Sequence, residues 1–375
     1  MSQLIGNLHL RLNPPEPGDT DVREGFSAVA QVGRHLFAAC DETSSLERLT
    51  YEGSGRFAEH RTYRITELLD MPSPDEEVDL EGIAWASPYL WVVGSHSRRR
   101  GKPKADDALD KQMETLATVD TQRNRYVLAR IPVHEDPEGD GLVPCRSCPD
   151  PRDPTVTLTA ARLTGEGRAN ALMEALADDV HLKKYLKLPS KDNGFDVEGL
   201  ALAGDGRLFL GLRGPVLNGW AVVLELEPRE DTEPGMLRLR RMGPNKQRYR
   251  KHFLQMDGLG VRDLCGDGED LLVLAGPTMD VRAPAAIYRW KGALLWDGES
   301  MVHETELEKL IDLPHDVQGG HDHPEGICML PLEGMPHAVL VVYDSAARHR
   351  MEEHGVRADV FGLEAAPDSR YGKAE

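Results

Sequence analysis

The sequence predicts an all-β fold, a β-propeller of five four-stranded blades, and two observations predict it. The phrase "DLEGIAW" from Asp79 returns as "DVEGLAL" from Asp196, with near copies "VREGFSA" from Val22 and "HPEGICM" from His323, and a variant, "GVRDLCG", from Gly260. Measured at Glu24, Glu81, Glu198, Arg262 and Glu325, the copies fall about sixty residues apart, with one gap about double. After each copy comes a second strand: "HLFAAC" from His35, "YLWVVGSH" from Tyr89, "RLFLGLRG" from Arg207, "DLLVLAGP" from Asp270 and "AVLVVYD" from Ala338. These are apolar on both faces, as strands buried between sheets are. A short unit repeated at this spacing cannot bury its own apolar face and must stack on its neighbours, which is the logic of a propeller.

Within a unit the phrase supplies the innermost strand. Third strands follow in "RYVLARIPV" from Arg125, "WAVVLELEP" from Trp220 and "AIYRWKGAL" from Ala286, and more polar fourth candidates in "HRTYRITELL" from His60 and "VHETELEKLIDL" from Val302. The double gap between Glu81 and Glu198 admits a sixth blade without its phrase. Only four strands can be placed there, so five blades with insertions are preferred to six. The insertions are a charged loop at 96–123, a Pro-rich loop at 132–154 and a helical element at 166–190, whose stretch 166–188 has good helix formers and apolar residues at three- and four-residue spacing. The last unit has a third strand, "VRADVFGLE" from Val356, then a polar tail at 363–375 with no fourth. "LIGNLHLRL" from Leu4 is available to pair with it, closing the ring and covering an exposed edge. Residues 1–375 then form one domain.

With 375 residues, 40% apolar and 29% charged, the composition is that of a soluble globular protein. No run of eighteen apolar residues occurs, and the first residues lack the basic, apolar and small-residue order of a signal peptide. The expectation is a cytoplasmic protein without a membrane partner. A net charge of −19 opposes a phosphate backbone, which excludes a broad nucleic-acid surface. Cys40, Cys265 and Cys328 lie in strand-like segments and read as reduced, buried thiols. Cys145 and Cys148 form a C-x-x-C, but no second pair stands at zinc spacing, so the loop reading is preferred.

The phrase also carries the candidate chemistry. At the start of the inner strands, Glu24, Glu81, Glu198 and Glu325 would converge on the axis, where like charges repel unless something positive sits among them. That positive group is either a cation such as calcium, held by these four, or the side chain of Arg262 at the fifth position. The Gly after each Glu allows close backbone approach. Loops leaving the second strands return to the same face and bring His96, Arg98, Arg213, Asp280 and Asp344. Together with Arg262 these suit a small anionic ligand, a phosphate ester being one class, held by arginine forks. The run Arg98, Arg99, Arg100 is equally what an exposed charged loop looks like. Glu198 and Glu81 are the candidate catalytic acids or bases, with Asp79 and Asp196 as their outer partners. "HDVQGGHDHPEG" from His315 invites a transition-metal reading, against which stands a plain loop entering the fifth inner strand. No G-x-S-x-G, Walker loop, H-E-x-x-H or dinucleotide fingerprint is present.

The phrases "DLEGIAW", "YLWVVGSHSRRRGKPKADD", "DNGFDVEGLAL", "LFLGLRGPVLNGW", "GVRDL", "LLVLAGPTMD" and "HPEGI", in this order, closely resemble the bacterial family called domain of unknown function 3616, from about Glu24 to Asp344. The resemblance implies a propeller and no established activity. More distantly, the ring of Glu24, Glu81, Glu198 and Glu325 is similar to that of the five-bladed calcium-dependent nucleotidases, which hold axial calcium with inner-strand side chains. Arg262 departs from that pattern. The leading expectation is a propeller binding a small anionic ligand at its axial face, as a metal-dependent hydrolase of a phosphoric ester or lactone. The alternative is a non-catalytic scaffold whose partner is a protein.

Overall fold

The computed structural model describes residues 3–15, 20–40, 43–73, 76–136, 139, 141–165, 169–279, 284–313, 322–332 and 337–363. Asp280, the tail beyond 363 and most of "HDVQGGHDHPEG" lie outside the described residues. Five inner strands, Phe26–Val32, Leu80–Ala86, Asp196–Leu202, Gly260–Asp267 and His323–Met329, each pair antiparallel with a second strand. The second strands are His35–Cys40, Tyr89–Gly94, Leu208–Leu217, Asp270–Gly276 and Ala338–Asp344. Third strands, Ser45–Gly53, Leu128–Glu135, Trp220–Leu226, Ala285–Trp290 and Gly355–Gly362, continue each sheet outward. Fourth places are taken by Arg56–Arg64, Ala161–Leu163, Arg250–Gln255 and Leu307–Leu313. Against Gly355–Gly362 runs the first strand of the chain, Gln3–Arg11, which also touches Arg56–Arg64 in parallel at His9 and Leu10.

The apolar residues gather between sheets rather than in one centre, because a strand that is apolar on both faces needs a neighbour on each side. Phe37 and Leu46 pack with Leu90 and Ile131. Val93 and Leu128 pack with Leu210 and Val222. Phe209 and Val223 meet Val273 and Tyr288, and Leu272 and Ile287 meet Val341 and Phe361. Leu340 and Val360 pack with Leu8, Leu36 and Leu49, joining the last sheet to the first. This is a propeller-like, predominantly β fold.

The repeated phrase has a structural answer. In all five inner strands one residue is skipped in the pairing register: Ser27, Glu81, Glu198, Arg262 and Glu325. Such a bulge re-aims the extra side chain. The next residue packs on the following inner strand. A Cβ at Gly82 would stand 2.7 Å from Leu200 Cβ, one at Gly199 would stand 3.0 Å from the Asp263 backbone, and one at Gly326 would stand 3.2 Å from Ala28 Cα. Asp263 replaces the glycine in the fourth copy and accepts the Ile327 N–H at 2.8 Å, while Ser27 Oγ donates to the Leu80 carbonyl at 2.6 Å. The contacts thus pass from each inner strand to the next and from the fifth back to the first.

This register corrects the first copy. Ser27, not Glu24, is the equivalent of Glu81, Glu198, Arg262 and Glu325. Glu24 is exposed and ends a 3₁₀ turn, Val22–Glu24. The letters Glu-Gly in "VREGFSA" match the phrase by chance, whereas the apolar frame Phe26, Ala28, Val29 and Ala30 sets the true alignment.

Three insertions also differ from expectation. The segment 132–154 is not all loop: Leu142–Pro144 pairs with Leu128–Glu135, and Ser147–Asp150 forms a hairpin with Asp153–Thr159. Among the described residues of 166–188 the α-helix spans only Ala171–Leu176, capped by Asn170. It ends early because Asp179 accepts the His181 and Leu182 N–H groups, an alternative to helical bonding. The charged insertion 96–123 carries its own helix, Leu109–Ala117. An unforeseen hairpin, Pro228–Glu230 with Met236–Leu239, leaves the third sheet and lies parallel on Ala161–Leu163 of the second. All five cysteines are free thiols; Cys40, Cys148 and Cys328 are buried, Cys145 and Cys265 half-buried. Among the described residues no helix is long and apolar enough to cross a membrane.

Candidate functional site

The bulged ends of the inner strands gather a chain of alternating charges. Asp196 opens the third inner strand and Arg213 ends the regular part of the strand beside it; their side chains pair at 2.5 Å. Arg213 also reaches Glu198 at 2.8 Å. Arg262 Nε stands 3.1 Å from the other Glu198 oxygen, and its Nη2 pairs with Glu325. Beside this chain Arg125 pairs with Asp79 at 2.9 Å and donates to Ser95 and Ser97 at 3.3 and 3.0 Å. Arg213 is fixed by glycines: a Cβ at Gly260 would meet the Arg213 carbonyl, and one at Gly214 would meet the carbonyl of Gly194. The backbone there can be approached only by residues without side chains.

Five carboxylates, Asp79, Glu81, Asp196, Glu198 and Glu325, face three guanidiniums, Arg125, Arg213 and Arg262. All are buried except Glu81 and Arg213, which are partly so. Burial pushes the Asp196 carboxyl up to about 7, with Glu198 and Asp79 adding to the rise and Arg213 opposing it. Burial also works against the charge on Arg213, but Asp196, Glu198 and Glu81 outweigh it and raise its pKa. For Arg262 burial wins, and its pKa is lowered despite Glu198. Asp263 is pushed well up by burial, although the backbone N–H groups of Ile327 and Leu264 favour its charged form. Bond directions are less well served than charges. Arg213 Nε, Asp196 Oδ2, Glu198 Oε2 and Asp79 Oδ2 are buried without a hydrogen bond among the described residues, even where an opposite charge is near. Buried groups of this kind are uncommon in native proteins and call for an explanation.

The candidates divide. Glu198, Glu325, Arg213 and Arg262 come together, with Glu81 close enough to act on both arginines. Arg262 stands between Glu198 and Glu325, and Glu24 is out of register, so the four glutamates do not form one oxygen cage. His96 is turned inward: Nδ1–H donates to the Gly94 carbonyl at 2.8 Å, and Nε2 accepts from Asn170 at 2.8 Å. Burial holds its pKa down to about 4, so it is neutral at pH 7. Arg98 is half-buried, and its Nε has no hydrogen bond among the described residues. Arg99 is exposed, and Arg100 pairs with Asp192 at 2.9 Å, as in a charged loop. Asp344 lies at the edge of the cluster, where one ligand atom each from His323, Glu325 and Asp344 lies within 4.8 Å of the others.

Arg125, Ser95, Ser97 and Asp263 were missed. Arg125 sits outside the repeated phrase, in the 3₁₀ turn Asn124–Tyr126 ahead of a strand, where nothing in the spacing marks it. Asp263 could have been found: an acid in the glycine position of an otherwise apolar frame must have a bonded reason to be buried.

A sequence profile described as "Protein of unknown function (DUF3616)" matches residues 25–359. No curated protein matches the chain in sequence. Solved structures with a similar course include a glutaminyl cyclase from Myxococcus xanthus, at 9% identity and TM-score 0.40, covering 97% of each chain. A PQQ-bound aldose sugar dehydrogenase from Streptomyces coelicolor gives 11% and 0.41, covering 97% of this chain and 98% of that one. A catalytically inactive virginiamycin B lyase from Staphylococcus aureus with quinupristin gives 10% and 0.36, covering 96% and 99%.

Proposed function

The chain belongs to the DUF3616 family, and from its axial cluster we propose that it is a five-bladed propeller, closed by its N-terminal strand, that binds a phosphate ester at the axial face and hydrolyses it with a metal ion. The observation that carries this reading is the buried Nε–H of Arg213, a donor without an acceptor among the described residues. Leaving such a donor unmade costs about 1–3 kcal/mol, which a bound anion would offset. Arg98, with the same unmet Nε–H, is the second anchor. The surplus of carboxylates over guanidiniums would repel an anion by itself, and a divalent cation supplies the polarisation of the phosphoryl oxygen. The chain's own residues do the rest. Glu198 or Glu81 takes a proton as water adds to phosphorus, the ester P–O bond breaks, and the alcohol leaves with a proton.

Titration calorimetry with inorganic phosphate and a nitrophenyl phosphate ester tests the reading. Arg213→Lys keeps a positive charge beside Asp196 and Glu198 but loses the planar fork. The affinity is expected to fall at least tenfold, with the thermal midpoint little changed. Equal affinity, or no binding by the wild-type protein, overturns the proposal.

A second reading, a protein-binding scaffold, is favoured by one feature. Helix Leu109–Ala117 exposes Leu109, Met113 and Leu116, at 73%, 64% and 53%, on one face. An apolar stripe at this spacing on a surface helix normally faces a partner.

A further inference from the structure

We infer that His323, Glu325 and Asp344 form a site for a divalent transition ion of the zinc class, at the outer end of the axial cluster. This deepens the metal-assisted reading, on which it rests only for the use to which the ion is put. His323 and Asp344 are direct register partners on the antiparallel strands His323–Met329 and Ala338–Asp344. Such partners hold their Cβ atoms about 5 Å apart, so both side chains reach one point. Glu325 is the bulged residue two positions along, which aims its carboxylate to the same side. One ligand atom from each lies within 4.8 Å of the others. Tetrahedral bonds of about 2.1 Å place ligand atoms roughly 3.4 Å apart, a difference that small rotamer changes close.

The scaffold around these three residues is stapled. Asp322, next to His323, is buried and accepts the Ala347 N–H at 2.7 Å and Arg350 Nε–H at 2.7 Å. Arg350 goes on to a bidentate pair with Asp359 on the third strand, at 2.9 and 2.8 Å. Asp344 is bridged to Gly25 of the first unit, and Ser345 N–H donates to the Glu24 carbonyl at 2.7 Å. Both ligand-bearing segments are therefore held from three sides before any ion arrives, which is what a metal site requires of its supporting residues.

The donor set selects the ion. One imidazole with two carboxylates suits zinc, cobalt or manganese, whereas calcium takes six to eight oxygens. Glu325 already gives one oxygen to Arg262, so its pairing orients the carboxylate toward the site. His323 is exposed, which leaves the ion open to solvent and to a phosphoryl oxygen. Three protein ligands with an open position are the pattern of catalytic rather than structural zinc.

The test uses the full chain, stripped with chelator, and titrates Zn2+, Co2+ and Ca2+ by calorimetry. Near-stoichiometric Zn2+ binding is expected, with a visible d–d band for Co2+ and no comparable heat from Ca2+. His323→Ala and Asp344→Asn should each weaken Zn2+ at least tenfold. Zn2+ binding that is absent, or that survives both substitutions, overturns the inference. The anion reading is scored separately, by phosphate binding to protein supplied with Mg2+ and its loss in Arg213→Lys. Phosphate bound without any zinc effect sinks only the metal site; zinc bound without phosphate sinks only the anion site.

Discussion

Asp179 and Asp196 have buried side chains, 0% and 2% exposed, and each faces a cation, yet their carboxyls are driven in opposite directions. Burial pushes both upward. At Asp179 it is overcome by Lys251 at 2.6 Å, by the Tyr249 hydroxyl at 2.7 Å and by the His181 N–H, and the pKa ends below the ordinary value. At Asp196 Arg213 does not overcome burial, because Glu198 and Asp79 add to it. The same holds for their surroundings. On the outer part of the third sheet, Glu225 meets Arg207 and His252, and Arg207 spends its remaining donors on the Leu294 and Trp296 carbonyls. None of these groups appears among the buried atoms without a bond; four atoms of the axial cluster do. Of these two clusters the axial one is the less completely bonded, although Arg130 and Arg289 on third strands also carry a buried Nε without a hydrogen bond among the described residues.

Matched neutralisations break the comparison if it is wrong. Asp179→Asn leaves Lys251 buried without a counter-charge and should cost about 3–5 kcal/mol in urea unfolding. Glu198→Gln, in a cluster with more carboxylates than guanidiniums, should cost within about 1 kcal/mol while changing phosphate affinity. Equal losses of stability would show that the axial cluster is structural too.

His96 sharpens the point, because it lies next to Ser95 and Ser97 yet has both ring nitrogens bonded. Its folded pKa, about 4, lies below the unfolded value of about 6.5. Between those values the unfolded chain binds a proton that the folded chain does not. The stability it contributes is complete above pH 6.5 and is lost as pH falls toward 4. The loss is on the order of 3 kcal/mol. Asn tolerates the positive φ of this position, so His96→Asn should unfold with a flatter pH dependence over that window than the wild type. Parallel curves would mean that His96 titrates normally and is not part of the closed network.

The propeller-like class was legible because its signals are periodic: five apolar second strands and a phrase with one bulge apiece. What failed was local. Glu24 matches the phrase in its letters, but the apolar frame places Ser27 there. The residues after Asn170 favour a longer helix than the one that forms, because the Asp179 side chain competes for backbone N–H groups. Arg213 was legible as a long side chain at the end of a buried strand among glycines. Arg125 and the hairpin at 228–239 were not, since their roles depend on which sheets become neighbours. Spacing finds what each unit does alone, and misses what one unit does for another.

The glycines of the phrase test whether the axial charges depend on that neighbour relation. Gly82 lies against the third inner strand: a Cβ would stand 2.7 Å from Leu200 Cβ and 2.8 Å from Val93 Cγ1. Gly82→Ala must therefore push the second and third inner strands apart, at a cost of about 1–3 kcal/mol. Gly204 has nothing within 4 Å of its Cβ position, and Gly204→Ala should be neutral to within about 0.5 kcal/mol or slightly stabilising. The two substitutions add the same methyl group, so thermal melts of the pair isolate close approach from the general effect of replacing glycine. If Gly82→Ala also weakens phosphate binding, the spacing of the inner strands sets the geometry around Arg213. If it destabilises without changing phosphate affinity, the phrase serves packing through its glycine and ligand binding through its glutamate, as two separable functions of adjacent residues.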